Sequence, residues 1–60
     1  MKIAKNESEA YKLANEFIEK LVKSGISDAF IDTGCYKGGI YDCLFILHPK
    51  TGVALFEIAY

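Results

Sequence analysis

Residues 41–60 read YDCLFILHPKTGVALFEIAY and place two long apolar runs on either side of one turn. Pro49 suits the second position of a type I turn and Gly52 suits a left-handed position. The pattern therefore predicts a β-hairpin with strands at 40–48 and 53–60. Both faces of these strands are rich in apolar side chains, whereas a hairpin with one face in water alternates apolar and polar residues. The fold must therefore cover one face with another layer, and the second face also needs a contact.

An amphipathic helix ahead of the hairpin supplies the covering layer. Asn6 is predicted to cap it, with Glu9 three residues later as a capping box requires. Apolar residues then recur at helical spacing: Ala10, Leu13, Ala14, Phe17, Ile18, Leu21 and Val22. Gly25 suits the left-handed position after the last turn, with Ile26 folded back in a Schellman motif. These signals predict a helix over residues 7–24.

A further strand is predicted at residues 27–34, where β-branched and aromatic residues end at a glycine. The element order is then α-β-β-β. This order predicts an α+β fold in which one N-terminal helix packs on a three-stranded antiparallel meander. The sequence does not determine whether residues 2–4 form a short extra strand. Residues 1–60 are expected to form a single domain, because a chain of 60 residues is too short for two hydrophobic cores.

The hairpin loop predicts which side chains share a face. A four-residue loop pairs His48 with Val53 and, in an unbroken ladder, Phe45 with Phe56. This register places two wholly apolar sets on one face, which the helix is predicted to cover. The sets are Tyr41, Cys43, Phe45 and Leu47 in one strand and Ala54, Phe56, Ile58 and Tyr60 in the other.

The opposite face of the predicted sheet, together with the last strand, is expected to form a protein interface. Its apolar anchors are predicted to be Phe30, Leu44, Ile46, Leu55 and Tyr60. Its acidic rim is predicted to be Asp28, Asp32, Asp42 and Glu57. Contiguous exposed apolar patches usually mark contact sites, and a carboxylate rim favours a partner with a basic surface. The last strand contains no proline or lysine, which favours pairing of its edge with another chain.

Charge and composition exclude several other classes of function. The formal net charge is −1, and Lys12, Lys20 and Lys23 lie among glutamates on the predicted helix, so direct binding of nucleic acid is not expected. The charged first residues do not resemble a secretory leader, and the apolar runs are shorter than a membrane span. Two cysteines in such a chain indicate reduced thiols and a cytoplasmic location.

No catalytic or metal-binding constellation is visible in the sequence. Cys43 and His48 are separated by an odd number of positions in one predicted strand, so they point to opposite faces and cannot share a zinc ion. The single histidine lies beside a proline and has no matching nucleophile. We therefore expect no enzymatic activity, no cofactor and no metal.

The expected function is that of a small non-enzymatic binding module, an inhibitor or regulator that contacts a larger protein. One alternative is a homodimeric structural module in which a second copy covers the patch. Another is an anti-CRISPR-like inhibitor from a phage or mobile element, whose acidic rim contacts a nucleic-acid-binding host complex. A thiol- or metal-dependent activity of Cys35 and Cys43 is the remaining alternative.

Overall fold

The computed structural model of the protein describes residues 2–36 and 38–60 and contains one helix packed on a mixed sheet. The elements are β1 (Lys2–Ile3), α1 (Glu7–Lys23), β2 (Phe30–Tyr36), β3 (Tyr41–Leu47) and β4 (Ala54–Ala59). The four strands are ordered β1-β4-β3-β2. β1 runs parallel to β4, and the other neighbours are antiparallel. The predicted α+β fold is confirmed, and the N-terminal residues add the short strand that the sequence left open.

The start of α1 is fixed by the predicted capping residues. The Asn6 side-chain oxygen accepts a hydrogen bond from the Glu9 N–H at 2.9 Å. The Glu9 carboxylate in turn accepts from the Lys5 N–H at 3.2 Å, one residue before the cap. The first bond satisfies a backbone donor that the first turn of a helix leaves without a partner, and the second ties the residue before the cap to that turn.

Removal of this cap should destabilise the protein measurably. We expect Asn6→Ala to lower the free energy of unfolding by about 0.5–2 kcal/mol, because the Glu9 N–H loses its acceptor. Urea unfolding followed by far-UV circular dichroism measures the change. Asn15→Ala is the matched control, since Asn15 is exposed in the middle of α1 and should tolerate alanine. Equal losses in the two variants would contradict a capping role.

α1 ends at Lys23, one residue before the predicted end, in the Schellman motif expected from the sequence. The Ile26 N–H donates to the Leu21 carbonyl at 2.8 Å, and the Gly25 N–H donates to the Val22 carbonyl at 3.1 Å. Gly25 has φ +93°, a conformation that costs glycine little because it has no Cβ. The motif reverses the chain and returns it to the sheet at β2.

Because of a β-bulge in β4, the observed register of the hairpin differs from the predicted one. At the loop the prediction is right, because the His48 N–H donates to the Val53 carbonyl at 2.9 Å. Further along, Ile46 pairs with Phe56, and the ladder is irregular between Ile46 and the next residue. Leu55 is the extra residue on β4. A shift of one residue exchanges the two faces of a strand, so β3 presents its other set of side chains to the helix.

The predicted facing of β3 is therefore wrong, whereas that of β4 is right from Leu55 onward; Ala54, predicted beneath the helix, pairs with Leu47 on the uncovered face. Leu44 and Ile46 were predicted to lie on the uncovered face, but both are 0% exposed and belong to the core cluster beneath α1. Ile58 of β4 is buried in the same cluster, as predicted. The set predicted to lie beneath the helix is on the uncovered face instead: Tyr41, Cys43, Phe45 and Leu47.

The core lies between α1 and the strands β3 and β4. Ala10 and Ala14 of the helix are completely buried, and their small side chains allow the helix to approach the sheet closely. Phe17 stacks on Phe56 with ring centroids 4.4 Å apart and an interplanar angle of 13°. Ile31 of β2 packs against the same cluster. Among the residues that the structure describes, one helix covers one face of the sheet and no second layer of helix or strand covers the other.

β1 covers only part of the edge of β4, so the expectation of a wholly open last strand needs correction. Lys2 pairs with Ile58 and Ile3 pairs with Ala59. The Ala4 N–H continues this pairing by donating to the Ala59 carbonyl at 2.7 Å. Within residues 2–36 and 38–60, no strand pairs with the stretch 54–57 on the edge of β4 that faces away from β3. The unprotected edge is therefore limited to the first half of β4.

Candidate protein-binding face

The side of the sheet that faces away from α1 is called the outer face here. Strand pairing and the alternation of side chains place on it residues of β2, β3 and β4: Phe30, Asp32, Tyr41, Cys43, Phe45, Leu47, Leu55 and Glu57. In the part of the chain that the structure describes, α1 is the only helix, and it packs on the opposite side. The outer face thus has no covering helix, although Cys43 on this face is 0% exposed.

Phe45 occupies the middle of the outer face, between two carboxylates. It pairs with Asp32 on β2 and with Glu57 on β4. Asp32 is exposed, and Phe45 and Glu57 are half-buried. Because neighbouring strands lie about 4.8 Å apart, the two carboxylate-bearing positions are about 10 Å apart across the aromatic ring. The centre of the face therefore combines an apolar surface with negative charge on both sides.

Large apolar side chains extend this centre toward both ends of the strands. Phe30 is 48% exposed and pairs with Leu47 at the end near the hairpin loop. Leu55, the bulge residue, is 36% exposed at the same end. Tyr41 is 38% exposed at the other end of β3. Together with Phe45 these residues form an apolar strip along the outer face, and exposed apolar patches of this kind mark contact sites on small domains.

Only some of the residues predicted for the interface lie on this face. The structure brings Phe30, Asp32, Leu55 and Glu57 together there. Leu44 and Ile46 lie beneath α1, as described above, and are inaccessible in the folded protein. Sequence reasoning missed the aromatic and aliphatic residues that β3 contributes: Tyr41, Phe45 and Leu47. These residues can be placed on the outer face only if a bulge in β4 is expected. The sequence has no glycine or other typical bulge residue at Leu55 to indicate one.

Asp42 and Tyr60 lie on the helix side of the sheet, near the start of α1. The Tyr60 N–H donates to the Asp42 carbonyl at 3.0 Å. The Tyr60 hydroxyl donates to the Glu7 carboxylate at 3.4 Å. Burial, followed by the charges of Glu7 and Asp42, raises the pKa of Tyr60 above its ordinary value. These contacts fasten the end of β4 to the helix, away from the outer face.

Asp28 lies in the connection between α1 and β2 and has φ +67°, a left-handed conformation that aspartate tolerates. A shallow open cleft adjoins it, between the end of α1 and the hairpin loop, and includes Phe30 and His48 in its lining. The His48 Nδ1 accepts hydrogen bonds from the N–H groups of Lys50 at 3.1 Å and Thr51 at 3.4 Å. This nitrogen is thus engaged in holding the loop and is not positioned as a catalytic base.

The two cysteines lie on opposite faces of the sheet. Cys43 pairs with Gly34, whereas Cys35 pairs with Asp42 on the helix side. Cys35 is exposed and Cys43 is buried, and both are free thiols. Burial raises the pKa of the Cys43 thiol, and the charge of Glu57 adds to this effect. The arrangement does not allow a disulfide between them, because side chains on opposite faces point apart.

The ring of Phe45 lies across Gly34, beside Cys43. A Cβ placed on Gly34 would lie 2.8 Å from the Phe45 Cε2, closer than van der Waals contact allows. The glycine therefore leaves the space that lets this ring lie flat on the sheet. Among the described residues, no group of three or more His, Cys, Asp or Glu side chains is close enough to hold a metal ion.

Comparison with known proteins gives no match to a protein-family model, a curated protein or a solved structure. Within residues 2–36 and 38–60, no helix is both long enough and apolar enough to cross a membrane. The outer face and the residues that form it are therefore the features that indicate a function.

Proposed function

We propose that this protein is a small non-enzymatic binding module, an inhibitor or regulator that docks on a larger protein through its outer face. The observation that carries the proposal is the apolar strip on a sheet face without a covering layer. Phe30, Tyr41 and Leu55 are exposed there around the half-buried Phe45. Aromatic residues are enriched at the centres of protein interfaces, where they supply much of the binding energy.

The proposal includes a cytoplasmic location. The exposed thiol of Cys35 is free and has no second cysteine on its side of the sheet. Free exposed thiols persist in a reducing compartment, whereas secreted domains of this size usually depend on disulfides.

Lysine substitutions on the exposed part of the outer face test the proposal. Tagged protein is used to capture partners from cell lysate, and affinities for an identified partner are then measured by calorimetry. We expect Phe30→Lys and Leu55→Lys each to weaken binding by about tenfold or more, because a charge replaces a buried apolar anchor. Circular dichroism should show that both variants remain folded, since both side chains are partly exposed in the free protein.

Val22→Lys is the matched control for these substitutions. Val22 is 54% exposed on α1, on the other side of the molecule, so the same chemical change there should leave binding intact. Equal binding by all three lysine variants would contradict docking through the outer face.

A homodimeric module is the second candidate, and the open edge of β4 favours it. A groove between α1 and this edge is lined by Phe17 and Phe56, together with Glu16 and Lys20. A second copy could pair along the edge and cover the groove. Light scattering after size exclusion, at several concentrations, distinguishes the candidates. A monomer mass throughout the range would contradict the dimer.

A further inference from the structure

The ionised side chains on the outer face all carry the same sign. Asp32 and Glu57 stand on either side of Phe45. Lys2 is the only basic residue in the strands of the described part of the chain. It pairs with Ile58 and lines the groove on the helix side, where it contributes no charge to the outer face. Within the described strands the apolar strip is thus accompanied by negative charge alone, and Lys50 of the hairpin loop shares a cleft with Phe30 at one end of it.

From this charge pattern we infer that the partner places a basic amphipathic helix across the outer face, with an apolar side chain on Phe45 and a lysine or arginine at each carboxylate. This inference rests on the proposed function and specifies the chemistry of the partner. A nucleic-acid-binding protein, as in inhibition of the anti-CRISPR type, is one member of that class.

The spacing of the acidic positions fits one particular arrangement of basic residues. Asp32 and Glu57 are two strands apart, which is about 10 Å. Residues i and i+7 of an α-helix lie on one side and about 10.5 Å apart along the axis. Residues i+3 and i+4 lie between them on the same side. A helix with basic residues at i and i+7 and apolar residues at i+3 and i+4 therefore matches the row formed by Asp32, Phe45 and Glu57.

The Asp32 carboxylate is already oriented for such a contact. Its Oδ1 accepts a hydrogen bond from the Thr33 N–H at 2.9 Å, which holds the group at the edge of the sheet. A carboxylate has further lone pairs and can accept from an ammonium or guanidinium group at the same time. An oriented acceptor loses less conformational freedom on binding than a mobile one.

A second copy of the chain does not suit this face. Face-to-face packing would bring the Asp32 and Glu57 carboxylates of one copy toward those of the other. Like charges brought together in an interface oppose association. The charge pattern thus favours a different, basic protein over self-association through the outer face.

Titration with two synthetic helical peptides tests the inference. Both have an alanine background with leucine at i+3 and i+4; one has lysine at i and i+7, and the other has glutamate there. Amide chemical shifts of the 15N-labelled full chain report where each peptide binds. We expect the lysine peptide to shift the amides of Asp32, Phe45 and Glu57, to bind at least tenfold more tightly than the glutamate peptide, and to weaken as salt is added.

Paired charge-neutralising variants complete the experiment. Asp32→Asn combined with Glu57→Gln should weaken the lysine peptide about tenfold. Glu19→Gln, at an exposed carboxylate on α1 outside both candidate interfaces, should leave its affinity unchanged. Equal binding of both peptides on the outer face would overturn the inference and leave the proposed docking face standing. Binding of the lysine peptide elsewhere, or no binding, would also overturn the inference. The proposed function would then be tested separately, by partner capture with the Phe30→Lys and Leu55→Lys variants.

Discussion

Leu44→Ala should lower the free energy of unfolding by about 2–5 kcal/mol, which is the range for a leucine removed from a packed core. Leu44 is 0% exposed beneath α1, among Ala10, Ala14, Ile46 and Ile58. The substitution leaves a cavity that a helix resting on two alanines cannot easily fill. Small domains have a total stability of only about 5 kcal/mol or somewhat more, so a large unfolded fraction is expected at room temperature. Urea unfolding followed by circular dichroism measures this loss.

Leu47→Ala is the control that makes the experiment a test of register. Leu47 is half-buried on the outer face, where water can occupy the space that the side chain leaves. Its truncation should therefore cost much less, about 1 kcal/mol. In an unbroken hairpin register the order would be reversed, with Leu47 beneath the helix and Leu44 outside. A larger loss for Leu47→Ala than for Leu44→Ala would contradict the bulge at Leu55.

Cys35 should react with a thiol reagent about a thousandfold faster than Cys43 under native conditions. Cys35 is exposed, whereas Cys43 is completely buried. Burial also raises the pKa of Cys43 above its ordinary value of 9.0, so the reactive thiolate is suppressed as well. If Cys43 reacts only after unfolding, a stability of about 5 kcal/mol leaves an open fraction of roughly one in several thousand. Colour release from an aromatic disulfide reagent gives both rates.

Single-cysteine variants assign the two rates. Cys35→Ser should abolish the fast phase, and in urea the two thiols should react at similar rates.

The raised pKa of Cys43 also determines how the stability of the protein changes with pH. Below pH 9.0 the thiol is protonated in both states and its contribution to stability is complete. As pH rises, Cys43 ionises first in the unfolded chain. Its contribution to stability therefore falls, and the contribution is lost once pH passes the raised pKa of the folded state. Similar native reactivity of both thiols would contradict the burial of Cys43.

The local parts of the fold could be predicted because each depends on residues close together in sequence. Asn6 with Glu9 and Gly25 with Ile26 define the ends of α1 through backbone hydrogen bonds within a few residues. Gly52 has φ +72°, the left-handed conformation predicted for the hairpin loop. These features follow from capping and turn geometry and need no knowledge of the remaining chain.

The register of β3 could not be predicted because both of its faces are apolar. Hydrophobic pattern determines register only where one face is clearly polar. The observed register places Leu44 and Ile46 beneath α1, and it leaves Tyr41, whose polar hydroxyl would need a partner if buried, 38% exposed. That choice depends on packing against the helix, which sequence spacing does not specify.

The acidic and apolar character of the candidate site could nevertheless be predicted. Phe30 and Asp32 belong to β2, and Leu55 and Glu57 belong to β4. The facing of these four residues was predicted correctly, and the error is confined to β3 and to Ala54, on the other side of the bulge. Because of the bulge, Phe45 and its neighbours occupy the outer face in place of Leu44 and Ile46. The carboxylates of Asp32 and Glu57 lie on that face as predicted.

The pairing of β1 with β4 has a consequence for the order of folding. Ile3 lies beside Ala59, so this contact closes a loop that includes almost the whole described chain. Contacts of such sequence separation form late, because the entropy of loop closure must be overcome before they stabilise anything. During synthesis α1 can form while β4 is still absent, whereas β1 is made first and has no neighbour until Ile58 and Ala59 emerge. Among the strands described, the one translated earliest is thus the last that can enter the sheet.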